Sequence, residues 1–471
     1  MKIITRILLG VWLLLLTQFA LAQQVGDYRA VAPGGNWSTL STWEICTSVS
    51  PATWATPTEY PGQTAIPGTV TITAGSTVSL DITPAHPVGN LIMEASSSFD
   101  GGSATLTLNG NLTNNGTFTA GSGTVAMTGV GSTISGSSTT PFNKLKIDNG
   151  GDADDVVTVS SSITVDELLL VTGRFSVISG TAQINGLNNA TSHLIPVTAG
   201  LEVNGASAIL NTGNFTILNE GLIRVADGTA NLGTHSGNSV HTQVNGVFIV
   251  NNAIVNIAGR LENTAGGTLT GTTYPSGITI SGGTVTLATV GNGASNIGTL
   301  NVTTHGYFNF DNGTIVFQNE SSASTAIDLG LVDGSGNGDK IITNGQFQFG
   351  NSSTPVNATF AINSNVPLRN ISVYDGIDLE LAARLEMETP ILFGAVSGIN
   401  LKGFALRLPA SVPDMNFSLI DNSGAGSPVL LKNIVANGPD PWFELRMVES
   451  KNPADQNTIN YYPRYWRVVT N

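Results

Sequence analysis

Cysteine is almost missing from this chain. Cys46 is the single one in 471 residues, so no intramolecular disulfide forms and burial and hydrogen bonds must hold the fold. No His or Lys stands near Cys46 in sequence to activate its thiol, which reads as an inert side chain. Charge is scarce too: Asp, Glu, Lys and Arg make up only 11% of the residues, and the 18 basic ones are outnumbered by 32 acidic ones. A chain so poor in Lys and Arg, with a net charge of -14, has little to offer a phosphate backbone, which excludes nucleic acid as a partner. Of the five histidines only those in "THSGNSVHT" lie close together, and their spacing matches no zinc motif. Long apolar runs are absent after the first twenty or so residues, so the mature chain is expected to carry no transmembrane helix.

What the chain does have is glycine, 55 of them, with abundant Ser, Thr and Asn. Hydrophobic residues nevertheless reach 41%, enough to bury a core rather than leave the chain disordered. The opening "MKIITRILLGVWLLLLTQFALAQQ" orders two basic residues, an apolar run and a small-residue "ALA" as a cleavable secretory leader does. Residues 1–22 are therefore expected to be removed, and loss of Lys2 and Arg6 takes the net charge from -14 to about -16. The destination is then secretion or the outer cell surface.

Almost every apolar segment alternates with a period of two. "TVTITAGSTVSL", "ATLTLNGNLTNNGTFTAGSGTVAMTG" and "GITISGGTVTLATV" set Val, Ile, Leu and Phe against Thr, Ser or Asn, with Gly and Asn turns between. Even "GIDLELAARLEMETP", the best helix former, puts Leu379, Leu381, Leu385 and Met387 on alternate positions and reads as strand. Strands this short, repeating loosely about every 20 residues, are what a parallel β-solenoid needs. The irregular repeat favours an all-β, right-handed parallel β-helix, with a β-sandwich array as the structural rival. Residues 23–65 read as an N-terminal cap region, 66–393 as the β-helix, and 394–471 as a C-terminal β-rich cap, a partial β-sandwich or the start of a further domain.

Tryptophan is confined to the two ends of the expected mature chain: Trp37, Trp43 and Trp54 at one, Trp442 and Trp466 at the other. A stack of coils is open at both ends, and large aromatic side chains cover such openings with few residues, so all five are read as structural cap residues.

The first of these clusters sits in a longer pattern, in which Gly35, Trp37, Thr42 and Trp43 precede a turn at Pro61 and Gly62. A strand then follows with Val70, Thr71, Ile72, Gly75, Thr77, Val78 and Leu80. This order resembles the opening of secreted surface β-helix proteins of the Bacteroidetes type, and also the G8 module that precedes β-helices in large cell-surface proteins. The resemblance covers about the first 150 residues. It implies a secreted or outer-surface β-helix and does not imply one activity. Some relatives of the G8 module act on polysaccharide, but no catalytic motif carries over residue by residue.

Candidate chemistry is sparse. Asp148, Asp152, Asp154 and Asp155 crowd one turn, and Asp333, Ser335, Asn337 and Asp339 take alternate places of a calcium loop whose twelfth place is Asn344 instead of Glu. Both are candidate calcium sites, the only cofactor expected, with a solvated Gly/Asp turn as the alternative reading. Arg174, Arg224 and Arg260 read foremost as scattered surface charges; the alternative is that their spacing brings them near one face after two coils or so, where acids beside them would make a polysaccharide-cleaving groove. Phe308 with Phe310 and Phe347 with Phe349 have the spacing of one strand face and read as inward core residues. The chain is thus expected to be a structural or adhesin-like β-helix without catalytic activity, a monomer or one module of a longer protein. The alternative is a carbohydrate-active or polysaccharide-binding β-helix, with an extracellular polysaccharide or cell-surface glycan as partner.

Overall fold

The computed structural model describes residues 23–188, 192–264, 276–291, 297–319, 325–330, 340–409, 415–420, 426–431, 442–448 and 465–470. The leader and the second candidate calcium loop, with Asp333, Ser335, Asn337 and Asp339, lie outside them.

The period-two pattern becomes strand almost everywhere. In Thr69–Ile72 the side chains of Val70 and Ile72 are fully buried while Thr69 and Thr71 are half-buried, and Thr105–Leu108 and Gln346–Phe349 repeat the arrangement. The 376–390 segment is strand as well, at Asp378–Leu381 and Leu385–Glu386. Pairing between successive strands is parallel over most of the chain, which excludes the β-sandwich array. The architecture is an all-β, solenoid-like stack of coils.

Register shows how regular the stack is. One inward ladder runs Tyr28–Val70–Leu91–Leu112–Ile134–Val159–Val177–Val203–Val225–Val250–Ile280–Phe310–Ile342, every step a direct parallel pairing. At about 4.8 Å per step it spans roughly 58 Å. A second ladder, Ile163–Ala182–Leu210–Ala230–Val255–Val285–Ile315–Phe347–Ile371, and a third, Ile217–Val240–Leu261–Leu300–Ile327–Ile362–Leu381, complete the walls. Their apolar side chains meet in one continuous core. Phe308, Phe310, Phe347 and Phe349 are fully buried there, as their spacing requires.

Coil length changes while the ladders do not. Neighbouring coils are 21 residues apart at Asn90 and Asn111, but 30 apart at Asn251 and Ser281. The extra residues lie between strands. Some strands carry two walls without interruption: Ala199–Thr212, Leu222–Leu232 and Gly277–Leu287 each bend from the first ladder to the second. The bend in Gly277–Leu287 needs Gly283, whose φ of +76° suits glycine and where a Cβ would stand 2.1 Å from the carbonyl oxygen of Ala253.

Strand direction reverses at both ends of the stack. Tyr28–Ala30 pairs in parallel with Thr69–Ile72 but antiparallel with Trp43–Val49, which pairs antiparallel with Ala52–Ala55. At the other end parallel pairing continues to Met415–Ile420, which then meets Gly426–Leu431 antiparallel. Ala405–Pro409, Trp442–Val448 and Tyr465–Thr470 form a second antiparallel group.

Candidate functional site

The three N-terminal tryptophans occupy two environments. Trp37 follows Gly34–Asn36, a strand in register with Thr77–Ser79, and Trp43 opens the antiparallel strand opposite Ala30. Both are at most 1% exposed, with rings edge to face at 5.0 Å. Their indole N–H groups donate to the carbonyls of Pro61 at 3.0 Å and Trp37 at 2.8 Å, so neither donor is stranded. Trp37 meets Phe99 at 6.1 Å, and Phe99, Phe118 and Phe142 continue the aromatic stack along the core.

Trp54 is only half-buried. It pairs across the hairpin with Cys46, a buried free cysteine, and the Arg29 guanidinium lies 4.2 Å from its ring centroid. Trp442 resembles it, with Arg407 at 4.3 Å over the ring. Trp466 stands on Tyr465–Thr470, opposite Met447 in register.

The carboxylates of the first candidate calcium loop turn to different partners. Asp148 pairs with Lys146 at 2.7 Å, and the Lys146 hydrogen bond holds its carboxyl below the usual range. Asp152 accepts the backbone N–H of Asp154, Asp155 that of Gly151, and Asp154 lies 3.5 Å from Arg174. Among the described residues no three His, Cys, Asp or Glu side chains converge as metal ligands.

Arg174 and Arg224 do share a face, joined by a residue that the sequence pattern left unremarked. Ser176, Glu202 and Arg224 stand in register on successive coils. Glu202, 2% exposed, lies 3.2 Å from Nε of Arg174, accepts from Nη1 of Arg224 at 3.0 Å and accepts the Ser176 hydroxyl at 2.6 Å. The Arg174 contact is an ion pair without hydrogen-bond alignment, since its Nε has no hydrogen-bond partner. Arg174 also donates to the carbonyl of Ala153, a residue packed against Leu222, Val247 and Ile249. The acidic loop is thus clamped over the outer face of this wall, and Glu202 is sealed beneath it rather than open to a substrate. Arg260 is elsewhere, paired with Glu262 on the third wall.

The same pattern extends through the molecule. Lys144 with Glu167, Arg369 with Glu388, Lys402 with Glu380 and Arg407 with Glu386 pair mostly from coil to coil, and Lys340 donates to the carbonyls of Thr304 and Gly306. Arg29, Lys144, Lys146, Arg174, Arg224, Arg260, Lys340, Arg369, Arg384, Lys402, Arg407 and Arg446 are each held by a carboxylate or by backbone carbonyls. Uncharged ladders do similar work: Asn256 donates to Asn231 and Asn231 to Asn211, each at 2.8 Å.

A cavity of about 260 Å³ opens on the outer side of the first coils. Arg29, Trp54, Thr71, Ile92 and Glu94 line it, with Tyr28 beside them. Burial, and then the charge of Glu59, push the Tyr28 hydroxyl above its ordinary 10.0. Strand alternation sends Arg29 and Trp54 outward at the N-terminal strands, and Glu94 follows the strand Asn90–Met93 directly.

No family model matches the chain, and neither a curated protein nor a solved structure matches it.

Proposed function

We propose that the protein is a secreted, surface-exposed right-handed parallel β-helix that serves as an adhesin-like or structural rod without chemistry of its own. The observation that carries this reading is the disposition of charge. Polysaccharide cleavage needs an acid or base and a cation free to meet the substrate. Here the twelve cations named above are already engaged, largely in ties between neighbouring coils, and the most buried carboxylate among the candidates, Glu202, is enclosed between two guanidinium groups. Such ties contribute little each where exposed, roughly 0–1 kcal/mol, but they fix one coil on the next. Trp37 and Trp43 act in this proposal as the cap over the first coil. The leader and the surface-protein resemblance support export.

The test is incubation of the mature protein with a panel of neutral and acidic polysaccharides, reading new reducing ends and unsaturated products. The reading expects neither to exceed a heat-denatured control. Product formation that vanishes in Glu202→Gln would overturn it.

A further inference from the structure

We propose that the cavity bounded by Arg29, Trp54, Thr71, Ile92 and Glu94 is a binding site for a neutral sugar residue, placed at the N-terminal end of the rod. Its volume of about 260 Å³ lies just below the range of roughly 300–1,000 Å³ that holds drug-sized ligands, which suits one sugar ring better than an extended chain.

The lining supplies the two kinds of contact such a ring needs. Trp54 and Ile92 offer apolar surface for the C–H face of a pyranose, and Trp54 is a half-buried tryptophan in a hairpin whose other tryptophan, Trp43, is sealed. The Trp54 indole N–H finds no acceptor among the described residues, in contrast to those of Trp37 and Trp43. Around it stand groups that bond hydroxyls. Glu94 is exposed and accepts the backbone N–H of Ala74 at Oε2, 2.9 Å away, which fixes the carboxylate and leaves Oε1 as a second acceptor. The Arg29 guanidinium is held by Glu44 through Nε at 2.8 Å and Nη2 at 2.7 Å and laid against the Trp54 ring, so its orientation is set before any ligand arrives. The Thr71 hydroxyl lies between them, in register with Arg29 on one side and Ile92 on the other.

Charge selects the class of sugar. Glu44 already neutralises Arg29, and Asp27 and Glu94 set two carboxylates in the lining against the single α-amine that Gln23 gains on leader removal, so uronates and sulfated sugars are disfavoured. A cationic ligand gains from Glu94 but must compete with Arg29 for the ring.

This inference goes beyond the rod reading and fails separately from it. The experiment is ligand-observed saturation-transfer NMR on the mature protein with glucose, galactose, mannose and N-acetylglucosamine. Galacturonic acid is the anionic control and glucosamine the cationic one, and Tm is measured in parallel. At least one neutral sugar is expected to show transfer, with Trp54→Ala weakening binding at least tenfold and Glu94→Gln severalfold while Tm stays within a few degrees of the parent. If Trp54→Ala is poorly folded, Thr71→Val and Trp54→Phe carry the test through a severalfold loss of binding at unchanged Tm. Absence of binding by all four neutral sugars, stronger binding of either charged control, or full binding by Trp54→Ala would each overturn the site. The polysaccharide-degradation assay is untouched by any of these results.

Discussion

The two ends of the stack meet the same difficulty in different ways. A parallel stack leaves its last apolar layer facing water at each end. At the N-terminal end Trp37 and Trp43 lie over the first coil, fully buried, each indole N–H bonded to a carbonyl, with Phe99 beneath. At the other end Trp442 is half-exposed under Arg407, and burial falls to Phe443 and Leu445 on the same antiparallel strand. Between those two sits Glu444, 5% exposed, paired with Arg384 at 3.2 Å and Arg446 at 2.7 Å. Strands reverse at both ends; the first adds two sealed tryptophans to the core, the second a shielded carboxylate beside a half-exposed tryptophan. Residue type alone does not tell them apart.

This contrast is open to direct attack. The largest effect is expected from Trp37→Ala or Trp43→Ala, which removes a large buried side chain and leaves a carbonyl without its donor. Each is expected to cost about 3–5 kcal/mol, seen as a fall in calorimetric Tm. Next comes Glu444→Gln, where two half-exposed arginines lose a buried partner; about 2 kcal/mol is expected, less than for a pair buried on both sides. Trp442→Ala is expected to cost about 1 kcal/mol or less, and a loss as large as that of Trp37→Ala would erase the distinction between the ends.

The smallest effect is a pH effect near the C-terminal coils. Burial raises the Asp378 carboxyl above its ordinary 3.8, and its hydrogen bond from the Gly398 N–H only partly offsets this. The unfolded chain therefore ionises first, and stability is lost as pH rises from 3.8 through the folded value. Asp378→Asn keeps the acceptor and removes the charge. It is expected to raise Tm at pH 7, with the gain closing as pH falls through 3.8, and a gain that persists at pH 3 would contradict the assignment.

Much of this was readable from the sequence, and the limits have physical causes. Alternation of Val, Ile and Leu with Thr and Asn set the strands, because side-chain direction in a strand depends only on parity. The expected repeat of about 20 residues matches the early coils, where Asn90 and Asn111 are 21 apart, and the last ones, where Leu379, Ile399 and Leu419 follow at 20, but misses middle ones such as Asn251 and Ser281, 30 apart. Extra residues between strands leave the ladders untouched, so nothing in the apolar pattern counts them. Spacing allowed Arg174, Arg224 and Arg260 to share a face but favoured scattered surface charges; only the first two meet, because the place of Glu202 between them depends on coil register. Trp54 reads like Trp37 and Trp43 in sequence. It differs because hairpin pairing with Cys46 puts it on the outer side, and that pairing includes a register shift between Cys46 and Ser48 that no periodicity announces.

The reversed strands at the ends carry a consequence for growth. A bare parallel coil is a template on which another copy's coil can dock in register, and then another, without limit. Here the outermost strand beside the N-terminal wall, Ala52–Ala55, is four residues long between Pro51 and Pro57, and the outermost strand of the third wall, Gly426–Leu431, contains Pro428, which has no N–H to donate. Among the described residues these two edges therefore discourage the docking of a second copy that a bare coil would invite.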